Sequence, residues 1–233
     1  MSLLTPEMPL SNALESYTTL IPLISRFGIR LGNADRSINQ VCAEHEIDPI
    51  FMLTLMNTFL FEEYFPEQRL KSFLANQIVD YLTKTNAYYL HYQLPNIERH
   101  LMSLVSSGEG ENKHLALLGK FFEDFKALMT SRIENDMKVW FPYCLKLSAG
   151  GDTAGCAEMI GRNSDDQDAT LVGMLRDMRS IMVRHLSGRY NDNLAYAVIF
   201  AVTSLERDIR QHSRIRERIL NPLITRLCPE CDL

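Results

Sequence analysis

Apolar residues recur at every third and fourth position through nearly every segment that is not a turn, and no run alternates with the period of two that marks a half-buried strand. The chain is therefore predicted to be all-α. Its first 64 residues read as a small helical domain, with three short helices between about residues 11 and 62. Breaks fall at residues 28–35 and at Asp48-Pro49, where the aspartate can cap a helix and the proline occupies its first turn. Residues 63–68, with Pro66 among them, form the joint to the larger part, 65–233. Four longer helical patterns follow, at about residues 70–105, 113–147, 170–186 and 191–227. Pro95 is expected to break or kink the first, because proline removes a donor and clashes with the preceding turn. Residues 148–168, rich in Gly, Asp, Ser and Asn, read as a surface loop. Connections of this length predict an antiparallel four-helix bundle.

Two seams of this pattern are interrupted by charge. Phe122, Phe125, Met129, Trp140 and Tyr143 lie on one line of the second helix, and Arg132 and Asp136 fall on the same line. Leu194, Val198, Val202, Leu205, Ile209, Ile219 and Leu223 define a line on the fourth, interrupted by His212 and Arg216. Each pair is one turn apart, so its two members project from one face. The third helix carries Leu171, Met174, Met178 and Met182 with no polar break, which is ordinary core packing rather than a soft-metal face.

Composition narrows the function classes. Hydrophobic residues make up 46% and charged residues 23%, which suits a folded globular chain. A net charge of -5 argues against a surface that holds nucleic acid by bulk electrostatics. Arg207, Arg210, Arg214, Arg216 and Arg218 alternate with Glu206, Asp208 and Glu217, the pattern of a solvated helix face. No stretch reaches the ~20 apolar residues of a membrane span, and residues 1–11 lack a signal-peptide pattern, so the expected compartment is the cytoplasm. Cys42, Cys144, Cys156, Cys228 and Cys231 are odd in number and scattered, with no disulfide framework, which agrees with a reducing location. Cys228-Pro-Glu-Cys231 has the spacing of half a zinc site or a redox switch, against the plain alternative of a frayed chain end. Cys42 sits in an apolar helix as a packing residue, and His91, His100, His114 and His185 are not at ligand spacing. No catalytic triad, phosphate-binding loop or paired catalytic carboxylate can be argued, so no enzyme is expected.

Polar pairs set into facing helices of a bundle are how metal-carboxylate centres are built. Arg132-Ile-Glu-Asn-Asp136 followed by Phe141-Pro142, and His212-Ser-Arg-Ile-Arg216 followed by Asn221-Pro222, resemble the repeated signature of hemerythrin-like domains: a His, a Glu four residues on, then an apolar pair and Phe-Pro. Phe27-Gly28-Ile29 and Cys42-Ala-Glu-His-Glu-Ile47-Asp48-Pro49 resemble the small leading domain of the di-iron proteins that repair iron-sulfur centres. The resemblance spans nearly the whole chain and implies a hemerythrin-like bundle behind a small helical domain, in a setting of nitrosative or oxidative stress.

Most of that family's metal ligands are replaced. Ala87, with Asn86 beside it, stands where the resemblance places a first histidine ahead of Leu94-Pro95. The second would fall in residues 106–111, which contain none. Arg132 and Asp136 replace the next His and Glu, Asp177 and Met178 replace a Glu-His pair, and His212 survives with Arg216 in place of its glutamate. The leading domain's adjacent cysteines give way to the region of Gly32 and Asn33. A guanidinium cannot ligate a cation, so the expectation is no cofactor and a non-catalytic regulatory or accessory protein, whose partner is a metal-bearing relative or a second copy. Arg132 and Arg216 are expected either to pair with Asp136 and with Glu134 or Asp177 inside the bundle, or to extend outward at its end. Two other readings stand beside this one. The first is a rearranged iron or zinc site at His212 and Asp136 with Glu134, Glu217 or His185, and the second is a helical transcriptional regulator whose leading helices contact DNA.

Overall fold

The computed structural model describes residues 3–32, 35–108, 113–163 and 167–231. Asn33 and residues 109–111 of the 106–111 stretch lie outside them. The regular elements of the described residues are all helical, apart from an isolated bridge between Pro9 and Ser37.

The leading block contains four α-helices rather than three: α1 (Leu10–Ser16), α2 (Ile21–Arg26), α3 (Ile38–Glu44) and α4 (Pro49–Leu60). α2 stops where Gly28 takes φ 75, a left-handed conformation that glycine adopts without a Cβ clash. Ser37 and Gln40 cap α3 reciprocally, each side chain accepting from the other's backbone N–H. The Asp48 carboxylate accepts from the N–H groups of Ile50 and Phe51 at the start of α4. Residues 51–59 of α4 are all buried, which makes it the central rod of the block. α5 (Glu67–Leu70) spans the joint.

The long helices come in pieces. α6 (Ala75–Tyr88) runs into α7 (Leu94–Ser106), α8 (Lys113–Asn135) into α9 (Phe141–Ser148), and α12 (Asp192–Ile215) into α13 (Asn221–Thr225). Each junction is a π-helical turn, at Tyr89–Gln93, Asp136–Trp140 and Arg216–Leu220, and each is followed by one residue and then a proline: Pro95, Pro142 and Pro222. The proline ring collides with the carbonyl four residues back. Widening the turn by one residue removes that collision and keeps the helix continuous. Pro95 therefore neither breaks its helix nor stands alone. Between these rods lie α10 (Cys156–Arg162), inside the expected loop, and α11 (Gln167–His185), which starts three residues before the expected 170.

α7 packs on α8 and α12, α8 on α11, and α11 on α12, so these four close on one another. Their apolar seams form one core, including Phe122, Phe125, Met178, Val202 and Ile209. A second core joins the leading block to α6, α9 and α13 through Leu23, Met56, Leu82, Trp140, Ile219 and Ile224, so the block's interior continues into one end of the long helices. Among the described residues, no helix is long and apolar enough to cross a membrane.

Candidate functional site

Between the two apolar cores lies a layer of buried polar side chains. It contains Asn86 from α6, Arg132 from α8, Asp136 at the head of the second π turn, Asp168 in the first turn of α11, His212 from α12 and Arg216 at the head of the third π turn. Arg132 is its hub. One Nη donates to Asn86 Oδ1 at 2.9 Å and lies 3.2 Å from Asp136 Oδ2, and the other donates to Asp168 at 3.0 Å. The Asn86 amide donates to Asp136 Oδ2 at 3.2 Å, and Arg216 Nη2 lies 3.2 Å from Asp136 Oδ1. Neither arginine extends outward.

His212 fixes the protonation pattern. Its Nε2 lies 3.0 Å from Arg132 Nη2, and a guanidinium offers only donors, so Nε2 accepts and the ring is neutral with its proton on Nδ1. Burial, reinforced by Arg132, Arg216 and Arg26, holds the imidazole well below its ordinary pKa. Burial would also lower Arg132, but Asp168 and Asp136 outweigh it and raise the group. Burial raises Asp168 against the pull of Arg132 and Arg216. Two guanidinium groups thus face two carboxylates, with a neutral imidazole and a neutral amide between them.

This donor set does not fit a metal ion. The imidazole lone pair points at a guanidinium, and both Asp136 oxygens have a guanidinium nitrogen at 3.2 Å. A cation among them would sit within several Å of two fixed positive charges, a repulsion of about 4 kcal/mol per charge at 4 Å and an effective dielectric of ~20.

The structure brings together Arg132, Asp136, His212 and Arg216, and leaves Ala87, Asp177, Met178, Glu134 and His185 elsewhere. Ala87 is half-buried and lines an open cavity with Ile21, Arg26 and Tyr88, while its neighbour Asn86 takes the interior place. The π turn is the reason: with one residue more between it and Leu94-Pro95, the inward face falls at 86 instead of 87. Asp177 is exposed on α11, and Met178 is packed in the apolar core. The carboxylate that α11 supplies is Asp168, which sequence composition assigns to the preceding loop. Glu134 is exposed and pairs with Lys138, and His185 is exposed, so neither reaches the layer. Glu217, beside Arg216 in sequence, has a carboxylate oxygen 3.7 Å from Arg216 Nε.

A second buried ion pair, Arg26 of α2 with Asp208 of α12, went unread in the sequence. The Arg26 guanidinium lies 5.0 Å from the Tyr88 ring centroid and 5.8 Å from that of Tyr89. Burial would lower Arg26, and the Asp208 carboxylate more than reverses this. The mixed run at 206–218 is not a solvated face: Glu206, Asp208 and Arg216 are buried. Arg207 donates to the carbonyls of Phe59 and Leu60, and Arg214 to that of Glu62.

The cysteines also differ from expectation. Cys228 is not paired with Cys231 but forms a disulfide with Cys156, because α10 folds back under the chain end and brings the two Cα atoms to 5.8 Å. This removes the argument for a reducing location that the scattered thiols supplied. Cys42 is a buried free thiol pushed up to about 11 by burial and Asp48, the behaviour of a packing residue. No protein-family model, curated protein or solved structure matches the chain.

Proposed function

We propose that this chain is a non-catalytic protein built on a hemerythrin-like four-helix bundle, residues 65–233, behind a small helical domain, residues 1–64, and that it acts as a regulatory or accessory protein in iron-sulfur repair or stress response. The observation that carries this reading is the buried layer of ion pairs. Where a metal-carboxylate bundle would present imidazoles and carboxylates to iron, Arg132 and Arg216 neutralise Asp136 and Asp168 from within. The mutual packing of α7, α8, α11 and α12 supports the bundle. With no metal held in this layer, the proposed action is through contact, with a metal-bearing relative or a second copy. Tyr196 and Phe200, exposed one turn apart on α12, offer an apolar surface for it.

The test is metal content. Full-length protein purified anaerobically from iron-replete cells is expected to carry only substoichiometric iron by plasma mass spectrometry. Stoichiometric iron that disappears in His212→Ala would overturn the reading in favour of the rearranged site.

A further inference from the structure

The chain end and the start of α10 form a compact cluster of metal-ligating atoms outside the charge layer. Cys156 and Cys228 are fully buried, and Glu230 sits in the 3-10 turn Pro229–Cys231 directly above them. Its carboxylate oxygens accept from the N–H groups of Gly155 and Ala157, each at 3.1 Å, and no cationic partner neutralises them among the described residues. Both Sγ atoms and a Glu230 oxygen lie within 4.8 Å of one another. Cys231 adds an exposed free thiol, and its N–H donates to the Cys228 carbonyl at 3.1 Å. Its thiol stands outside the 4.8 Å group, three residues from Cys228 along a single turn, and would close on an ion as the fourth ligand.

Two cysteines near enough to bond are near enough to share an ion, since thiolate–zinc bonds of ≈ 2.3 Å put the two sulfurs of a tetrahedral site roughly 3.8 Å apart. The sequence alone displays only half of such a site, the C-x-x-C pair. The fold supplies the missing thiol from 72 residues away, together with a carboxylate already fixed by two backbone donors.

We propose that Cys156, Cys228, Cys231 and Glu230 form a redox-gated site for a thiophilic divalent cation of the zinc class, open to the ion when the disulfide is reduced and closed when it forms. Reduction by a dithiol breaks the Cys156–Cys228 bond. The two electrons and two protons pass to these sulfurs as the reductant becomes a disulfide. The cation then displaces the thiol protons to solvent, and exchange with an external disulfide reverses the sequence and expels the ion.

Full-length protein, reduced anaerobically and freed of reductant, is titrated with Co²⁺ alone. The expected result is one cobalt per chain with thiolate-to-cobalt charge-transfer absorption, displaced by Zn²⁺ and absent from the oxidised protein. Cys156→Ser and Cys228→Ser are expected to abolish it. Should either fail to fold, the exposed positions decide. Cys231→Ser and Glu230→Gln are each expected to weaken binding by at least about tenfold, a loss already typical when only a supporting group is removed. A reduced chain that takes up no cobalt, or cobalt binding unchanged in Cys231→Ser and Glu230→Gln, overturns the proposal. Because the interior reading is tested by iron and His212→Ala, failure of one leaves the other standing.

Discussion

His212 is the residue whose state depends most directly on its surroundings. Folded, it stays neutral far below its usual range, and unfolded it takes up a proton below about pH 6.5. Its contribution to stability is therefore complete above that pH and lost as pH falls, by up to about 1.4 kcal/mol per unit. Asp168 acts with the opposite sign: its raised folded pKa costs stability as pH rises from about 3.9. Comparison with His212→Gln, which keeps an acceptor for Arg132, isolates the imidazole. The urea midpoint of the native chain is expected to fall more steeply between pH 7 and pH 5 than that of the variant, and parallel curves would mean that the folded imidazole takes up its proton over the same range as the unfolded one. Arg132, Asp136, His212 and Arg216 were legible in the sequence because charges one turn apart interrupt otherwise apolar seams. Asp168 was not, since an acidic residue in a helix's first turn is what the helix dipole favours at any surface.

At the level of the element, the three π turns decide what periodicity can reveal. Each adds one residue to its helix, so a stripe counted through it at 3.6 residues per turn comes out one position early or late. This is why Cys144 and Ile224 are fully buried while Tyr143 and Leu223, predicted for the same face, are only half-buried, and why Asn86 rather than Ala87 faces inward. Pro95 signalled a disturbance in its helix, but not that the helix would absorb it, and Pro142 and Pro222 entered only as part of the resemblance. α11, which has no such turn, makes a clean test of register. Asp168→Leu leaves the Arg132 guanidinium short of a partner in the interior and is expected to cost about 3 to 5 kcal/mol in denaturant unfolding. Asp177→Ala, on the exposed face of the same helix, is expected to change stability by less than about 0.5 kcal/mol. Equal effects from the two would remove Asp168 from the layer.

For the whole molecule, the all-helical class was readable from pattern, whereas the way the leading block is held was not. Charges that look solvated in sequence become ties between parts in the fold: Arg26 to Asp208, and Arg207 and Arg214 to carbonyls at the end of α4 and just after it. With a continuous apolar core behind these ties, the block and the long helices are expected to unfold in one transition. A double-mutant cycle on Arg26→Met and Asp208→Asn is expected to give a coupling above about 0.5 kcal/mol, and additive effects would show that the pair does not couple the two parts. The widened turns have a last consequence, for genealogy. An alignment that forbids gaps inside helices slips by one column at each of the three prolines, pairing Ala87 with a relative's inward residue and passing over Asn86. Kinship of this chain with straight-helixed proteins is therefore best sought with a single-residue indel allowed just ahead of Pro95, Pro142 and Pro222.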